Sequence, residues 1–362
     1  MDYGGTAHLT FVANTPFIYS TTAIDLAQSF SLLFAISSNS WNKNKQKRIM
    51  DSIIKFTFLL YFTTSLLLSG ELVSGEVYFK KGSPHVSLVN NAVVSGNVQF
   101  SRDGRPFNSF VGLPFARVPG RFEAAQPVTG GDWTEGVFSA TKPGPICPQL
   151  FPQTGARQAD DDCLNLNVYV PINNTRKEGG YPVMVWVHGG AFMFGNGFDY
   201  GPKYFMDEDV ILVTINYRVG VFGFLSTGDS LVPGNNGLKD QVLALKWVHE
   251  NIAFFGGNSR KVTVFGESAG SVSVHYLLLS PTTDGMFHRA ISQSGSALAP
   301  WAYHPNPRDN AVKLATHLEC SSSVGDPNGI TSEEIVQCLK EQTIEKLAMA
   351  QLAFKNVTNY NS

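Results

Sequence analysis

Ser268 lies between two glycines in the stretch VTVFGESAG, residues 262–270, and this spacing could make it a nucleophile. An apolar run enters the stretch, and the run SVSVHYLLLS leaves it with a helical pattern. We predict a strand that breaks at Gly266 and a helix that begins just past Ser268, which is the strand, turn and helix setting of a reactive serine. A serine hydroxyl is a poor nucleophile by itself, so the role also requires a base and a group that orients the base. Outside that setting, the same pentapeptide would indicate an ordinary turn.

A second glycine-rich turn, HGGAF at residues 188–192, follows the apolar run PVMVWV. Consecutive glycines allow backbone N–H groups to approach a developing oxyanion, and losing one such donor typically raises the barrier by about 3 to 4 kcal/mol. Ala269 adds a backbone N–H at the start of the helix after the serine. Two such turns in this order, each after a buried strand, predict a nucleophile and an oxyanion hole.

The elements that would position these turns are visible as nearly continuous apolar runs, typical of strands covered on both faces. The runs are YPVMVWVHGG, DVILVTINYR, KVTVFGESAG and RAISQSGS. Between the second and third, apolar residues recur at helical spacing from Leu238 to Ile252, and Gly256 and Gly257 mark the stop. Strands alternating with helices predict an α/β fold with a mostly parallel central sheet, whose functional loops lie at the C-terminal ends of the strands.

The flanking regions have different patterns. Residues 76–145 are rich in glycine, proline and short alternating runs, which favours antiparallel strands and turns. Residues 305–362 indicate helices, including one helical stretch, SEEIVQCLKEQTIEKLAMAQLAF, that starts at Ser332. No strand pattern follows residues 289–293, so we expect this strand to be an uncovered edge of the sheet.

The charge balance argues against nucleic-acid binding, because a net charge of −2 provides no basic field. The one basic cluster, residues 43–48, precedes an uncharged apolar run at 56–68 and small residues at 73–75, as in a secretory signal peptide. We therefore predict a signal peptide at 50–75, a mature chain that starts near Glu76 and is secreted, and no stable membrane span in the mature form. Residues 1–49 are then a non-native or disordered extension, and the alternatives are a signal anchor or a buried helix at 50–75.

The four cysteines agree with export, and their order leaves three pairings possible. Nearest-neighbour pairing would close two short loops and stabilise each by about 3 kcal/mol. No Cys-x-x-Cys and no histidine pair at ligand spacing occurs in the sequence, so we predict no metal site and no cofactor. Asn173 and Asn356 lie in acceptor sequences for N-glycosylation.

Taken together, these motifs resemble the type-B carboxylesterases, a branch of the α/β-hydrolase fold that includes secreted insect esterases, cholinesterases and the adhesion proteins called neuroligins. The resemblance extends over roughly residues 85–355. Its motifs follow the family order: VGLPFA, DDDCLNLNVYVP, VMVWVHGGAF, NYRVGVFGFLS, GNNGLKDQVLALKWVHENIAFFGGN, VTVFGESAGSVSV and AISQSGSAL.

The resemblance implies a role for each matching residue. It implies Ser268 as the nucleophile, an oxyanion hole formed by Gly189, Gly190 and Ala269, and a small-molecule carboxylic ester as the substrate. It also implies the disulfides Cys147 to Cys163 and Cys320 to Cys338.

Two sequence features distinguish between classes of enzyme within the type-B carboxylesterases. Cholinesterases carry a tryptophan between the first two cysteines for cation–π binding of a quaternary ammonium, and here Phe151 is the one aromatic residue in that stretch. Juvenile-hormone esterases usually have glutamine before the serine, where this chain has Glu267. A general carboxylesterase therefore fits the sequence better than either.

The base for the serine is the missing part of the pattern, because the family places an acid and then a histidine on loops after later strands. His275 lies two helical turns beyond Ser268, about 10 Å away and out of hydrogen-bond reach. His288 comes before a strand, at the end opposite the functional loops, and His304 and His317 lie in regions with no family role. None of these histidines is expected to act as the base.

The stretch SQSGSALAP after the next strand contains no carboxylate, and only 94 residues follow Ser268. We therefore expect residues 76–362 to be an incomplete α/β-hydrolase domain that lacks the C-terminal part of the fold, and this chain to contain no triad acid or histidine. It should then have little esterase activity by itself. The alternative is a non-catalytic, neuroligin-like binding protein, but neuroligins lack the serine nucleophile that is present here.

Overall fold

A mixed sheet of seven strands supports the HGGAF turn at 188–192 and the turn at Ser268. The structure is a computed structural model and describes residues 83–129, 136–149, 159–172, 178–320 and 329–352. The strands are β1 His85–Ser87, β2 Val93–Ser95, β3 Asn97–Phe100, β4 Pro106–Pro114, β5 Ala116–Arg117, β6 Gln126–Pro127, β7 Val137–Ser139, β8 Asn165–Pro171, β9 Tyr181–Val187, β10 Ile211–Ile215, β11 Gly257–Glu267 and β12 Arg289–Gln293. The α-helices are α1 Gly220–Phe224, α2 Asn236–Asn251, α3 Ala269–Leu279, α4 Pro307–His317, α5 Ser332–Glu341 and α6 Ile344–Ala350.

The strand order in the large sheet is β12-β11-β9-β10-β8-β4-β3. The neighbours from β12 to β10 pair in parallel, and those from β10 to β3 pair antiparallel. The predicted mostly parallel arrangement therefore holds for one half of the sheet, and the sheet as a whole is mixed. Two smaller sheets, β1-β2-β7 and β5-β6, contain the short N-terminal strands.

The strands that the apolar runs predicted differ in how deeply their residues are buried. All five residues of β10 are buried, and β9 is buried or half-buried throughout, as expected for strands covered on both faces. By contrast, all five residues of β12 are exposed, so the prediction of burial on both faces is wrong for this strand. The prediction that it forms an edge is confirmed in the described part of the chain, where β12 pairs only with β11.

The register between β9 and β11 places the turn after His188 and the turn at Ser268 side by side. Val264 lies opposite Val185, and Gly266 lies opposite Val187 at the end of β9. Because both strands run in the same direction, the residues that follow them leave the sheet at the same end, where the strands' C-termini lie. The turn that starts at His188 and the turn at Ser268 are therefore neighbours in space.

The helix between β10 and β11 confirms the periodic pattern at 238–252. Leu245, Val248 and Ile252 are fully buried, and Gly256 ends the segment with a positive φ of 82°. The helix is fixed at its N-terminal half by a buried ion pair, in which Asp240 accepts two hydrogen bonds from the Arg218 guanidinium at 2.7 and 2.8 Å. Both side chains are almost fully inaccessible, so removing either would leave an uncompensated buried charge.

A second apolar core lies among α4, α5 and α6. The predicted helix start at Ser332 is confirmed, but the single predicted stretch forms two helices. The capping residue is Thr331, which forms a capping box with Glu334, and the helix ends at Glu341. A new helix then starts at Ile344 with Thr343 as its cap, because the Thr343 hydroxyl accepts the Lys346 N–H.

Both implied disulfides, Cys147 to Cys163 and Cys320 to Cys338, are present. The predicted signal peptide and the two glycosylation sequences, at Asn173 and Asn356, lie outside the described residues. Within the described ranges, no helix has the length and apolar character needed to cross a membrane.

Candidate active site

Ser268 occupies a sharp turn between β11 and α3. The strand continues to Glu267, one residue past the predicted break at Gly266, and the helix begins at Ala269. Ser268 has φ 54° and ψ −118°, a conformation that L-residues rarely adopt and that costs on the order of 1 to 3 kcal/mol. Its backbone is held on both sides, since its N–H donates to Gln293 O at 2.9 Å and its carbonyl accepts Val272 N–H at 3.0 Å.

The two glycines that flank Ser268 are required by close packing. A Cβ on Gly270 would lie 2.1 Å from the Val187 carbonyl oxygen, and one on Gly266 would lie 2.5 Å from the Gly270 carbonyl carbon. Real Cβ atoms do not approach backbone so closely. The serine turn is therefore packed directly on the end of β9.

Gly189 is in contact range of the serine. A Cβ on Gly189 would lie 3.3 Å from Ser268 Cβ and 2.7 Å from the Glu267 carbonyl oxygen. The N–H groups of Gly190 and Ala269 have no protein acceptor among the described residues. Ala269 is the first residue of α3, where unpaired N–H groups and the helix dipole both favour an anion.

The turn from Gly190 to Gly195, which we call the glycine turn, has an unusual backbone. Gly190, Ala191 and Phe192 have consecutive positive φ values of 103°, 55° and 59°, and Gly195 has φ 120°. The Gly190 carbonyl accepts N–H groups from Met193 and Phe194 at 2.8 and 3.1 Å, which closes the turn.

His188, which precedes the two glycines, is a structural residue. Its Nδ1 donates to the Gly189 carbonyl at 2.8 Å, and its ring stacks on Tyr217 with centroids 4.2 Å apart. Burial lowers its pKa from 6.5 to about 4, so the ring is neutral at neutral pH. The Tyr217 hydroxyl donates to the His188 carbonyl at 2.7 Å and fixes the backbone from the other side.

Two further side chains meet at this turn. A Cβ on Gly189 would lie 2.9 Å from Glu267 Oε2, so the carboxylate reaches the glycine backbone. Burial first, and then the charges of Glu267 and Asp199, raise the pKa of the Tyr200 phenol, while hydrogen bonding from the Gly189 backbone acts in the opposite direction. The Tyr200 ring also packs on Trp186 with centroids 4.9 Å apart.

The sequence identified Glu267 only as a difference from other esterases, and it gave no signal for Tyr200. The serine hydroxyl makes no hydrogen bond to any described residue, and the nearby histidines are used elsewhere. His275 Nδ1 accepts the Ala297 N–H at 3.1 Å, which fixes the loop after β12. His288 lies at the start of β12, with Nδ1 at 3.5 Å from Val262 N.

Comparison with known proteins gives one consistent result. Residues 83–361 match the model of the carboxylesterase family. The chain is 47% identical over 290 residues to juvenile hormone esterase of Tribolium castaneum, covering 77% of this chain and 46% of that protein. It is 42% identical over 275 residues to venom carboxylesterase-6 of Apis mellifera, covering 75% of this chain and 48% of that protein.

Among solved structures, the fold is similar to juvenile hormone esterase from Manduca sexta with OTFP covalently attached. The TM-score is 0.66 at 35% sequence identity, over 76% of this chain and 52% of that one. The chain thus spans about half the length of the relatives it matches. Because these relatives include both a juvenile hormone esterase and a carboxylesterase, the preference for a general carboxylesterase stays a prediction.

Proposed function

Since this chain belongs to the carboxylesterase family and has the α/β-hydrolase fold, we propose that it provides the nucleophile and the oxyanion hole of a serine carboxylic-ester hydrolase. The observation that carries this proposal is the position of Gly189 beside Ser268, where a Cβ added to the glycine would lie 3.3 Å from Ser268 Cβ. A nucleophile and its oxyanion donors must lie about 3 Å from one shared reacting atom.

The proposed reaction follows from this geometry. Ser268 Oγ attacks the carbonyl carbon of the ester and loses its proton to a base. The electron pair of the C=O bond moves to the oxygen, where the N–H groups of Gly189, Gly190 and Ala269 stabilise the negative charge. Collapse of this intermediate expels the alcohol and leaves an acyl group on Ser268, which water removes in the reverse sequence of steps.

The base is the component for which the described residues offer no candidate. The Ser268 hydroxyl has no hydrogen-bond partner in the described ranges, and His188 is buried and oriented toward Gly189. We propose that residues 76–362 alone hydrolyse esters poorly, because removing the catalytic histidine of a serine hydrolase reduces turnover by on the order of 10⁶. A non-catalytic, neuroligin-like role is not favoured, since the strained serine turn is intact.

We also propose that the protein is secreted, with a mature N-terminus near Glu76. The support is the apolar run at 56–68 in the sequence and the two disulfides in the structure, which persist in oxidising compartments. One relative is a venom protein by name. N-terminal sequencing of material released into the medium tests this, and a product that retains Met1 and sediments with membranes would contradict it.

The test of the proposed nucleophile is covalent labelling with a serine-directed organophosphate, read by intact mass, of a protein extended to the length of the matched relatives, which we call the full-length protein. We expect one adduct, and we expect Ser268→Ala to abolish both the adduct and turnover of an activated ester. Ser296→Ala is the matched control, because its hydroxyl accepts Leu298 N–H in a surface loop. An adduct that persists in Ser268→Ala would contradict the assignment.

A further inference from the structure

Gln149 connects the first disulfide to the glycine turn. Its Nε2 donates to the carbonyl of Cys147 at 3.0 Å and to the carbonyl of Gly195 at 3.0 Å, while its Oε1 accepts the Gly195 N–H at 2.9 Å. The side chain is only 6% exposed, so these hydrogen bonds do not compete with solvent. Both backbone polar groups of Gly195 are thus held by one side chain.

Gly195 in turn is packed against the start of the turn. A Cβ on Gly195 would lie 2.4 Å from His188 Nδ1 and 2.8 Å from the Gly189 carbonyl oxygen. His188 Nδ1 and the Gly189 carbonyl are the two groups whose hydrogen bond orients the Gly189 peptide. A displacement of Gly195 would therefore move the residue that lies against Ser268.

The second cysteine of the same disulfide is linked to the turn by a separate path. Asn216, which follows β10 and is buried, donates from Nδ2 to the Cys163 carbonyl at 3.1 Å. Its Oδ1 accepts the Gly197 N–H at 2.9 Å. The carbonyls of both cysteines are therefore connected through a buried amide side chain to the backbone that closes the glycine turn.

We propose that Gln149 is a positioning residue for the oxyanion hole, and that through it the Cys147–Cys163 disulfide sets the position of Gly189. This inference rests on the proposed esterase function for its consequence in catalysis, but not for the mechanical link. Gln149 touches no reacting atom. It acts by holding Gly195, and Gly195 packs on the carbonyl of the Gly189–Gly190 peptide, whose N–H is the Gly190 donor.

The other disulfide offers a matched control. Gln342 Nε2 donates to the Cys338 carbonyl at 3.1 Å, so each disulfide has a glutamine bonded to one of its cysteine carbonyls. The Gln342 side chain has no hydrogen bond to the glycine turn. Gln149→Met and Gln342→Met remove the same group beside the two disulfides.

The first experiment measures amide hydrogen exchange across residues 188–197 in the chain and in both methionine variants. We expect Gln149→Met to accelerate exchange at Gly195, whose N–H it leaves unbonded, by about tenfold or more, since one lost hydrogen bond corresponds to roughly that factor. Gln342→Met should leave this segment unchanged. Because exchange needs no catalysis, this result is independent of whether the protein is an esterase.

The second experiment measures kcat and KM for an activated ester with the full-length protein. Displaced oxyanion donors act on the transition state, so we expect Gln149→Met to lower kcat by about ten- to a hundredfold with KM nearly unchanged. Gln149→Glu keeps an acceptor for the Gly195 N–H but loses the amide donors. Its kcat should therefore lie between those of the wild type and Gln149→Met. Turnover is divided by the number of active sites titrated with the organophosphate, so a variant with merely reduced stability would keep the wild-type kcat.

Unchanged exchange at Gly195 in Gln149→Met would overturn the proposal, as would an equal effect of Gln342→Met on residues 188–197. Should Gln149→Met not fold, the same comparison is made with Gln149→Glu, for which wild-type exchange and wild-type kcat would be equally contradictory. Altered exchange with no organophosphate adduct on the wild-type protein would leave the link standing and reject the esterase function instead.

Discussion

The two disulfides of this chain have nearly the same covalent loop and very different surroundings. The cysteines are 16 residues apart in one and 18 in the other, so loop-closure entropy predicts about 3 kcal/mol of stabilisation for each. Cys320 and Cys338, both half-buried, join the segment after α4 to α5. The carbonyls of Cys147 and Cys163 instead bind Gln149 and Asn216, which also hold the glycine turn. The contribution of a disulfide to function is thus set by what its backbone holds.

The backbone conformations around the candidate site also differ from those in the helical region. Around the candidate site, consecutive residues from Gly190 to Phe192, together with Gly195 and Ser268, have positive φ values. The helical region around α4, α5 and α6 relies on ordinary capping, with Thr331 and Thr343 as side-chain caps. In the helical region Glu319, at the end of α4, has a positive φ of 59°, whereas a consecutive run of positive φ values lies at the candidate site.

The largest expected effect is at Gly190. Gly190→Ala would place a Cβ 2.0 Å from the Phe194 carbonyl oxygen, so the turn must rearrange and its donor is displaced. We expect kcat of the full-length protein to fall by about 10² to 10³, as for loss of one oxyanion donor. Gly285→Ala is the control, because Gly285 also has a positive φ of 76° but has open space around it. A normal kcat in Gly190→Ala would remove the turn from the proposed oxyanion hole.

Removing each disulfide in turn tests whether the two differ in their effect on kcat. Replacing either cysteine pair with alanine should lower the free energy of unfolding by about 3 kcal/mol, measured by urea denaturation. Only the Cys147 and Cys163 pair should also lower kcat in the fraction that remains folded. Equal kcat values for the two variants would contradict the distinction between the two regions.

His188 gives the site region a pH dependence of stability. The unfolded chain protonates this ring near pH 6.5, whereas the folded protein keeps it neutral down to about pH 4. The stabilisation is therefore complete above about pH 6.5 and is lost as the pH falls toward 4, by about 3 kcal/mol in total. Denaturant titrations across this range should show a shallower dependence for His188→Gln than for the wild type. The exposed His304, replaced in the same way, is the control.

The smallest expected effect is at the cap of α5. Thr331 Oγ1 accepts the Glu334 N–H at 3.2 Å, and Glu334 Oε2 accepts the Thr331 N–H at 2.8 Å. Thr331→Ala should lower the free energy of unfolding by about 1 kcal/mol, with no change in kcat. A change in kcat here would show that the helical region is coupled to the site.

The sequence predicted the parts of the site that are contiguous motifs. Ser268 with its two glycines, and Gly189 with Gly190, could be recognised because strand, turn and helix signals surround them on the same short stretch. Gln149, Asn216 and Tyr200 could not, since each acts through contacts with backbone far away in the chain, and nothing local distinguishes a buried amide from an exposed one. Their roles depend on the register that the fold provides.

The same limit applies to the fold. The apolar runs predicted β9, β10 and β11, but the apolar content of β12 did not reveal that its residues are exposed. The helical pattern after Ser332 continued across Gln342 and Thr343, where the chain in fact makes a second cap. Hydrophobic periodicity records which face is apolar, whereas strand direction and helix breaks are decided by tertiary contacts.

The pairing of β9 with β11 also governs the order in which this molecule assembles. Val185 pairs with Val264 across a long intervening segment that includes β10 and α2, so the ends of a long loop must meet before this ladder can form. Non-local parallel pairing is slow for this reason, while helices form locally and early. During refolding, far-ultraviolet helical signal should therefore recover before the serine becomes reactive, because Ser268 and Gly189 become neighbours only in the last of these steps.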